Sequence, residues 1–352
     1  MQGVSQDNLW NLVFKLASQN DFPSPHQLIS PKTPISQIHE VYNLINNANK
    51  IVVLMGAGAS SGPDFRSPGG LYDSIARSGA LSDPYDVFDL ECYSQNPEIF
   101  WRFAHLVFPT EVPVYSDTHL FVEALEKNNK LLRVYTQNVD TLEKGIPDSK
   151  LRCVHGSWRH NHCMNCGTEY SIEDIRPAVN AGAVPYCVGC GGIIKPGIVF
   201  FGQPTNLDES EAYRDALEAD LLIVAGTSLK VEPISELPRV MKNVPSILIN
   251  REPVNCIFNA ELIGDSSDVV RSIVYELGWV FDQIDTQNQN EINNFTSIQN
   301  SMNNDRPQIE PILYPPNKFV FPSKSEYSTS IAETGRNMFL VTPRRADPSD
   351  FD

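Results

Sequence analysis

Short continuous apolar runs alternate with amphipathic stretches along the middle of the chain. Four runs end in small or polar side chains, at residues 50–58, 131–140, 220–229 and 245–253. Strands that are buried on both faces of a parallel sheet have this pattern. Helical segments are predicted between the runs, near residues 86–107, 117–128, 208–219 and 267–277. The alternation predicts an α/β fold with a doubly wound parallel sheet, whose functional loops follow the carboxyl ends of the strands.

Both ends of the chain have a different character. Residues 8–17 place apolar side chains on one helical face and precede a Pro-rich connector. A further amphipathic helix is predicted from Thr33-Pro34 to about residue 48. Residues 287–304 contain seven Asn and three Gln, which is typical of a linker. We expect an N-terminal helical extension and linker at 1–34, and a mostly flexible tail at 285–352 with a strand at 318–322.

The overall composition narrows the class of protein. The chain has 352 residues, of which 41% are apolar, enough for a sizeable core. It contains no run of about 18 apolar residues and no secretory signal pattern, so we expect neither a membrane span nor secretion. The formal net charge of −16 argues against direct binding to nucleic acid and is compatible with a cationic partner. Acidic residues that only keep the protein soluble are the alternative.

Four of the seven cysteines form two CxxC pairs with 20 residues between them, Cys163/Cys166 and Cys187/Cys190. This spacing predicts a zinc ion held by four thiolates in a reducing compartment. Four cysteines complete the tetrahedron, so the metal is expected to be structural, without need of His160 or His162. We expect a small zinc-binding module at 153–195, inserted between two parts of the main domain at 35–152 and 196–284.

A glycine-containing loop follows the first apolar run. Gly56-Ala57-Gly58 stands where backbone amides can meet a pyrophosphate, with a tight turn as the alternative. Position 61 is Ser, so the third glycine of a hydride-transfer fingerprint is missing. No acidic residue closes a second strand about 20 residues later. The pattern therefore does not favour a dehydrogenase.

Polar groups also follow the other predicted strands. Residues 136–140, Thr-Gln-Asn-Val-Asp, can orient a ligand, or Asp140 can cap a helix. His155 follows a predicted strand and is a candidate general base or a structural histidine. Residues 226–228 and 250–252 end two more strands. Four polar strand ends that converge on one crevice describe an extended nucleotide site.

Taken together, these motifs resemble the sirtuin family, class I, nearest the nuclear sirtuin-one type. The resemblance covers about residues 35–280 and rests on GAG…PDFRSP…GLY, TQNVDTLE, CVHGS, the paired CxxC, IKPGIVFFG, GTSLKVEP and ILINRE, in this order. It implies a large Rossmann-like domain, a small zinc-bearing domain, and NAD and acetyl-lysine meeting in the cleft between them.

The resemblance also implies the site residues. The cofactor-binding positions would be Gly56, Ala57, Gly58, Ser60, Asp64, Phe65, Arg66, Tyr72, Gln137, Asn138, Asp140, Gly226, Thr227, Ser228, Asn250, Arg251, Glu252 and Ser266. The catalytic positions would be His155, Asn138 and Asp140. The peptide and its acetyl-lysine would contact Val199, Phe201, Gly202, Leu229 and Val231. The peptide is expected to add as a strand.

The implied activity is NAD-dependent protein-lysine deacetylation, which releases nicotinamide and O-acetyl-ADP-ribose. NAD is consumed, zinc is structural, and the partners would be acetylated nuclear proteins such as histones, in the nucleus or alternatively the cytoplasm. One departure bears on this reading, because the loop between Gly58 and Pro63 is about three residues shorter than in the family. Protein ADP-ribosyl transfer, or a binding protein with an impaired cofactor loop, are the alternatives.

Overall fold

A computed structural model describes residues 33–60, 65, 70–111, 113–279, 281 and 311–321, and the backbone of 329–334 and 338–343. The helix predicted at 8–17 lies outside these residues. The α-helices are α1 (Ile38–Asn47), α2 (Leu71–Ser78), α3 (Leu90–Gln95), α4 (Pro97–Phe103), α5 (Asp117–Lys127), α6 (Ile172–Asn180), α7 (Glu209–Glu218), α8 (Leu237–Val240) and α9 (Ser266–Glu276). None of the described helices combines the length and apolar character needed to cross a bilayer.

The strands of the described residues form one large sheet and two small ones. They are β1 (Ile51–Met55), β2 (Leu131–Thr136), β3 (Leu151–Cys153), β4 (Asn161–Cys163), β5 (Glu169–Tyr170), β6 (Ile194–Lys195), β7 (Leu221–Ala225), β8 (Ser246–Asn250), β9 (Ala260–Ile263), β10 (Ile312–Tyr314), β11 (Lys318–Val320), β12 (Thr329–Thr334) and β13 (Met338–Pro343). The large sheet has the order β10-β11-β9-β8-β7-β1-β2-β3, and all neighbours are parallel except β10 and β11. β12 and β13 pair antiparallel.

The large sheet is doubly wound, as the alternating pattern predicts. Its centre consists of β1 and β7, in which every residue is buried. Helices cover both faces of the sheet, so the side chains on each side of these strands are buried. The strands are therefore apolar at every position and do not alternate between apolar and polar residues. The strand order reverses between β1 and β7, and the crevice at the carboxyl ends of these two strands is therefore the expected ligand site. The α/β, Rossmann-like fold class is confirmed.

The helices predicted within the described residues form near their expected positions, with two differences, whereas α2, α6 and α8 were not predicted. α1 begins at Ile38 and not at Pro34. The helical region predicted near 86–107 is broken into 3₁₀ turns and the short helices α3 and α4. The Asp89 side chain caps α3 and Pro97 begins α4. Proline lacks a backbone N–H and fits only the first turn of a helix, so one continuous helix cannot form across it.

The small lobe contains more of the chain than its zinc module. The antiparallel sheet β5-β4-β6 and helix α6 share one apolar core with α2, α3 and α4. Trp101 and Trp158, from the two parts of the chain, are both fully buried there. The sequence prediction assigned residues 70–108 to the Rossmann-like domain. We propose instead that they belong, with residues 153–201, to the small lobe, because they pack in its core.

A segment from the C-terminal part of the chain completes the edge of the large sheet. β11 pairs in parallel with β9, in agreement with the strand expected at 318–322. Phe319 and Phe321 are 2% and 1% exposed and belong to the main core. The Asn317 side chain donates to the Phe258 carbonyl at 2.7 Å. The segment 311–321 is therefore packed into the domain.

Candidate functional site

Two glycine-containing loops meet at the switch point of the sheet. The Gly56 amide donates to the Ala225 carbonyl at 3.0 Å, and the Gly58 amide donates to the Gly226 carbonyl at 2.8 Å. A Cβ on Gly56 would lie 2.6 Å from the Thr227 Cβ, and Gly226 has φ +64°. Side chains at these glycines would force the loops apart. The two loops are therefore in close backbone contact at the carboxyl ends of β1 and β7, the position at which doubly wound sheets bind dinucleotides.

The loop after β2 is tied directly to the loop after β1. The Asn138 side-chain amide donates to the Gly56 carbonyl at 3.1 Å and to Ser60 Oγ at 3.0 Å. The Ser60 hydroxyl donates to an Asp140 carboxylate oxygen at 2.6 Å. Asn138 is 7% exposed, so its orientation is fixed by these contacts. The structure thus brings Asn138, Ser60 and Asp140 together in one hydrogen-bonded network.

His155 lies beside this network with one ring nitrogen available. Its Nδ1 lies 3.0 Å from the Gln137 carbonyl, so Nδ1 carries the proton and Nε2 has the lone pair. Nε2 is buried and has no hydrogen-bond partner among the described residues. Burial lowers the pKa of His155, against an opposing effect of the Gln137 carbonyl. The imidazole is thus neutral near pH 7 and suited to accept a proton.

Two buried ionisable residues near this network were not predicted. Glu143 is 5% exposed, and its burial, together with the charge of Asp140, raises its pKa to about 7. His119 is 4% exposed, its Nδ1 lies 2.8 Å from Ser116 Oγ, and burial lowers its pKa. Ser116 in turn donates to the Ala59 carbonyl. The positions of Glu143 in TQNVDTLE and of His119 in a predicted helix gave no sign of this burial.

Further strand ends extend the crevice on the side of β8 and β9. The Thr227 hydroxyl lies 3.2 Å from the Gln137 side-chain nitrogen, which joins the loops after β7 and β2. The Ser266 hydroxyl, at the start of α9, donates to the Gly58 carbonyl at 3.1 Å. The remaining predicted residues of this side, Ser228, Asn250, Arg251 and Glu252, are exposed or half-buried at the ends of β7 and β8. Arg251 pairs with Asp265 at 3.1 Å.

The loop after β1 is described only in part. Asp64 and Arg66 lie outside the described residues, so their predicted roles remain predictions. Phe65 packs near Tyr72, with ring centroids 6.3 Å apart, and near Phe88 at 6.0 Å. Phe65 therefore contacts aromatic residues of the small lobe.

The predicted peptide-binding residues lie on two segments, and on one of them the Phe201 backbone is already paired with the chain at Phe88 and Leu90. Phe201 is 49% exposed, and Gly202 beside it has φ +89°. On the other segment, Leu229 has φ +51°, and its amide donates to Thr227 Oγ1 at 3.2 Å. Val199 and Val231 are half-buried.

The four predicted cysteines come together in the small lobe. Their sulfur atoms all lie within 4.8 Å of one another. Three of the separations are 3.5, 3.7 and 3.5 Å, close to the roughly 3.8 Å edge of a tetrahedron with Zn–S bonds of about 2.3 Å. A four-thiolate set leaves no open position for substrate or water. The cluster fits a structural zinc ion.

Comparisons with known proteins agree with this arrangement. The model of the Sir2 family matches residues 55–233. The NAD-dependent protein deacetylase sir-2.1 of Caenorhabditis elegans is 39% identical over 262 residues, which are 72% of this chain and 43% of that protein. Human NAD-dependent protein deacetylase sirtuin-1 is 36% identical over 283 residues, which are 77% of this chain and 37% of that protein. The chain thus spans less than half the length of these relatives.

Solved structures show the same fold. A Sir2 structure with a deacetylated p53 peptide and 3'-O-acetyl ADP-ribose superposes with a TM-score of 0.61 and 31% identity, over 69% of this chain and 98% of that one. A Sir2 protein bound to a propionylated peptide gives a TM-score of 0.58 and 28% identity, over 69% and 100%. The predicted similarity to the sirtuin-one type is confirmed, and the chain belongs to the Sir2 family.

Proposed function

We propose that this protein is an NAD-dependent protein-lysine deacetylase. The observation that carries the proposal is the buried, unpartnered Nε2 of His155, beside the network of Asn138, Ser60 and Asp140 at the switch point of the sheet. A neutral imidazole with a free lone pair, next to fixed amide and carboxylate groups, is an arrangement for proton transfer on a bound ligand. The relatives named as NAD-dependent protein deacetylases support the same reading.

The crevice fits NAD on its own chemistry. The glycines let two loops meet at the switch point, where a pyrophosphate can lie against backbone, and the Asn138 and Asp140 side chains are suited to ribose hydroxyls. NAD supplies an activated ribose carbon, which can act as the acceptor for the acetyl group. In this proposal Gly56, Gly58, Gly226 and Ser266 border the phosphates, and the ends of β7 and β8 hold the adenosine half.

The residues of this chain then have distinct tasks. Asn138 and Asp140 orient the ribose next to nicotinamide, since both are fixed by Ser60. His155 accepts a proton at Nε2 from a ribose hydroxyl, while Nδ1–H stays on the Gln137 carbonyl. Val199 and Phe201 flank the acetyl-lysine. The peptide backbone adds as a strand between the segments at Phe201–Gly202 and Leu229–Val231.

Product analysis of the purified chain with NAD and an acetyl-lysine peptide tests this function. We expect deacetylated peptide, nicotinamide and O-acetyl-ADP-ribose in equal amounts. His155→Ala should reduce deacetylation by about 100-fold or more, as is usual for loss of a general base. The matched control is His39→Ala, since His39 is exposed on α1. Transfer of ADP-ribose to protein would support the transferase alternative, and no turnover with folded, zinc-loaded protein would support the impaired-loop alternative.

We further propose nuclear acetylated proteins, including histones, as substrates. The support is similarity to the NAD-dependent histone deacetylase SIR2 of Candida albicans, 39% identical over 269 residues. The net charge of −16 is compatible with lysine-rich substrates. Imaging of the tagged full chain together with assays on acetylated histone peptides tests this proposal. Exclusion from the nucleus, or activity only on acidic peptides, would contradict it.

A further inference from the structure

Lys195 is a buried lysine between the zinc module and the segment that leads to the peptide site. It lies at the end of β6 and is 3% exposed. Within the described part of the chain, no carboxylate forms an ion pair with it, and burial lowers its pKa to about 8. Burying an ammonium without a counter-ion costs free energy, so we expect other groups to stabilise the charge of Lys195.

The partners of the ammonium are two carbonyls and a ring. Nζ donates to the Pro196 carbonyl at 3.0 Å and to the Ile198 carbonyl at 2.8 Å. It also lies 4.2 Å from the centroid of the Phe200 ring. An ammonium has three N–H donors in a compact tetrahedral group; here two are used by carbonyls, and the cation also lies over the aromatic ring. The contacts draw alternate residues of the segment 196–200 toward one point.

The same segment is joined to the loop that carries His155. The Val199 amide donates to the His155 carbonyl at 2.8 Å, and the Ser157 amide donates to the Gly197 carbonyl at 3.2 Å. A Cβ on Gly156 would lie 2.1 Å from the Gly197 carbonyl oxygen, so the two backbones are in close contact. The shape that Lys195 imposes on residues 196–199 therefore reaches both Val199 and His155.

We propose that Lys195 is a positioning residue for the acyl-lysine substrate. This inference rests on the proposed function. The Lys195 ammonium would hold Val199 and Phe201, which flank the acetyl-lysine, at a fixed distance from His155. The proposed cofactor contacts lie on the loops after β1, β2, β7 and β8 and at the start of α9, and within the described residues the Lys195 ammonium donates to none of these segments. Loss of the ammonium should therefore weaken acyl-peptide binding and leave NAD binding unchanged.

The experiment compares Lys195→Met with wild type in the full zinc-loaded chain. Its readouts are the Kd of a fluorescent acetyl-lysine peptide, the separate KM values for peptide and NAD, and zinc content. Two buried carbonyls lose their charged donor, so we expect the peptide Kd and KM to rise by about 10-fold or more. The KM for NAD should stay within about twofold. Lys195→Arg keeps a cation but replaces the compact ammonium with a larger planar group, so we expect it to recover only part of the peptide affinity.

The matched control is Lys242→Met, because Lys242 is exposed and lies outside both substrate segments. If Lys195→Met does not fold, Lys195→Gln replaces it, with the same expected rise in peptide Kd. If Lys195→Met leaves the peptide affinity unchanged, or raises both KM values equally, the proposed role of Lys195 is wrong. The proposed function is not affected by either result. A wild-type chain that binds no acetyl-lysine peptide overturns the proposed function, and this inference with it.

Discussion

Glu143 shows how burial changes the chemistry of a single residue next to the site. It follows Asp140 in the loop after β2 and lies close to Arg159 and Cys153, with which it interacts electrostatically. One of its carboxylate oxygens has no hydrogen-bond partner among the described residues. The pKa of the carboxyl is raised from an ordinary 4.5 to about 7, first by burial and then by Asp140. The folded protein therefore keeps a proton that the unfolded chain releases above about pH 4.5.

The pH dependence of stability tests this assignment. The stabilising contribution of protonated Glu143 is complete below about pH 4.5 and is lost as the pH rises to about 7. Glu143→Gln cannot ionise, so its free energy of unfolding relative to wild type should increase over this window, by at most about 3 kcal/mol. Urea unfolding of both proteins between pH 4.5 and 8 measures the difference. A difference that is the same at every pH would contradict the assignment.

The residues that could be identified from the sequence lie in motifs of characteristic spacing, whereas those that were missed are distinguished only by their burial in the fold. The cysteines and His155 occur in motifs whose spacing itself carries the chemistry. Lys195, His119 and Glu143 have no such spacing, and they matter because the fold buries them. Burial of a charged side chain depends on contacts distant in sequence, which a local pattern does not contain.

Among the structural elements, the zinc module should depend on its metal for the order of the whole small lobe. Cys163 and Cys187 are buried in the same core as Trp158. Cys166→Ser should therefore abolish stoichiometric zinc binding and shift tryptophan emission to longer wavelength, since thiolate–zinc bonds contribute directly to folding. Metal analysis and fluorescence of the purified variant measure both effects. Cys256→Ser, outside the cluster, is the matched control and should retain one zinc per chain.

Retention of zinc in Cys166→Ser, or emission like wild type after complete removal of zinc by a chelator, would contradict this dependence.

The edge strand β11 should contribute strongly to the stability of the main domain. Phe319 is 2% exposed in the main core, whereas Ile312 on the neighbouring β10 is 56% exposed. Phe319→Ala leaves a cavity and should lower the free energy of unfolding by about 3–5 kcal/mol. Ile312→Ala should change it by less than about 0.5 kcal/mol. Denaturant unfolding of the full chain compares them, and equal effects would mean that β11 is not packed as described.

At the scale of the whole molecule, the alternation of buried strands and helices followed from the sequence, but several elements and the assignment of helices to cores did not. Buried parallel strands have continuous apolar runs, so β1, β2, β7 and β8 were recognisable. β9 was missed because Glu261 interrupts its short apolar run. The spacing of apolar residues in α2, α3 and α4 indicates that one face of each helix is buried. It does not indicate whether that face packs in the main domain or in the small lobe. That choice depends on aromatic contacts such as Phe88 with Phe200.

The most direct test of the account is release of nicotinamide from NAD by the purified, zinc-loaded chain, with and without an acetyl-lysine peptide. The arrangement of His155, Asn138 and Asp140 at the switch point predicts release that depends on the acetylated peptide and is absent with the unacetylated one. Release at the same rate without the acetylated peptide, or no release from folded protein with bound zinc, would contradict the proposal that this crevice couples NAD to acetyl-lysine.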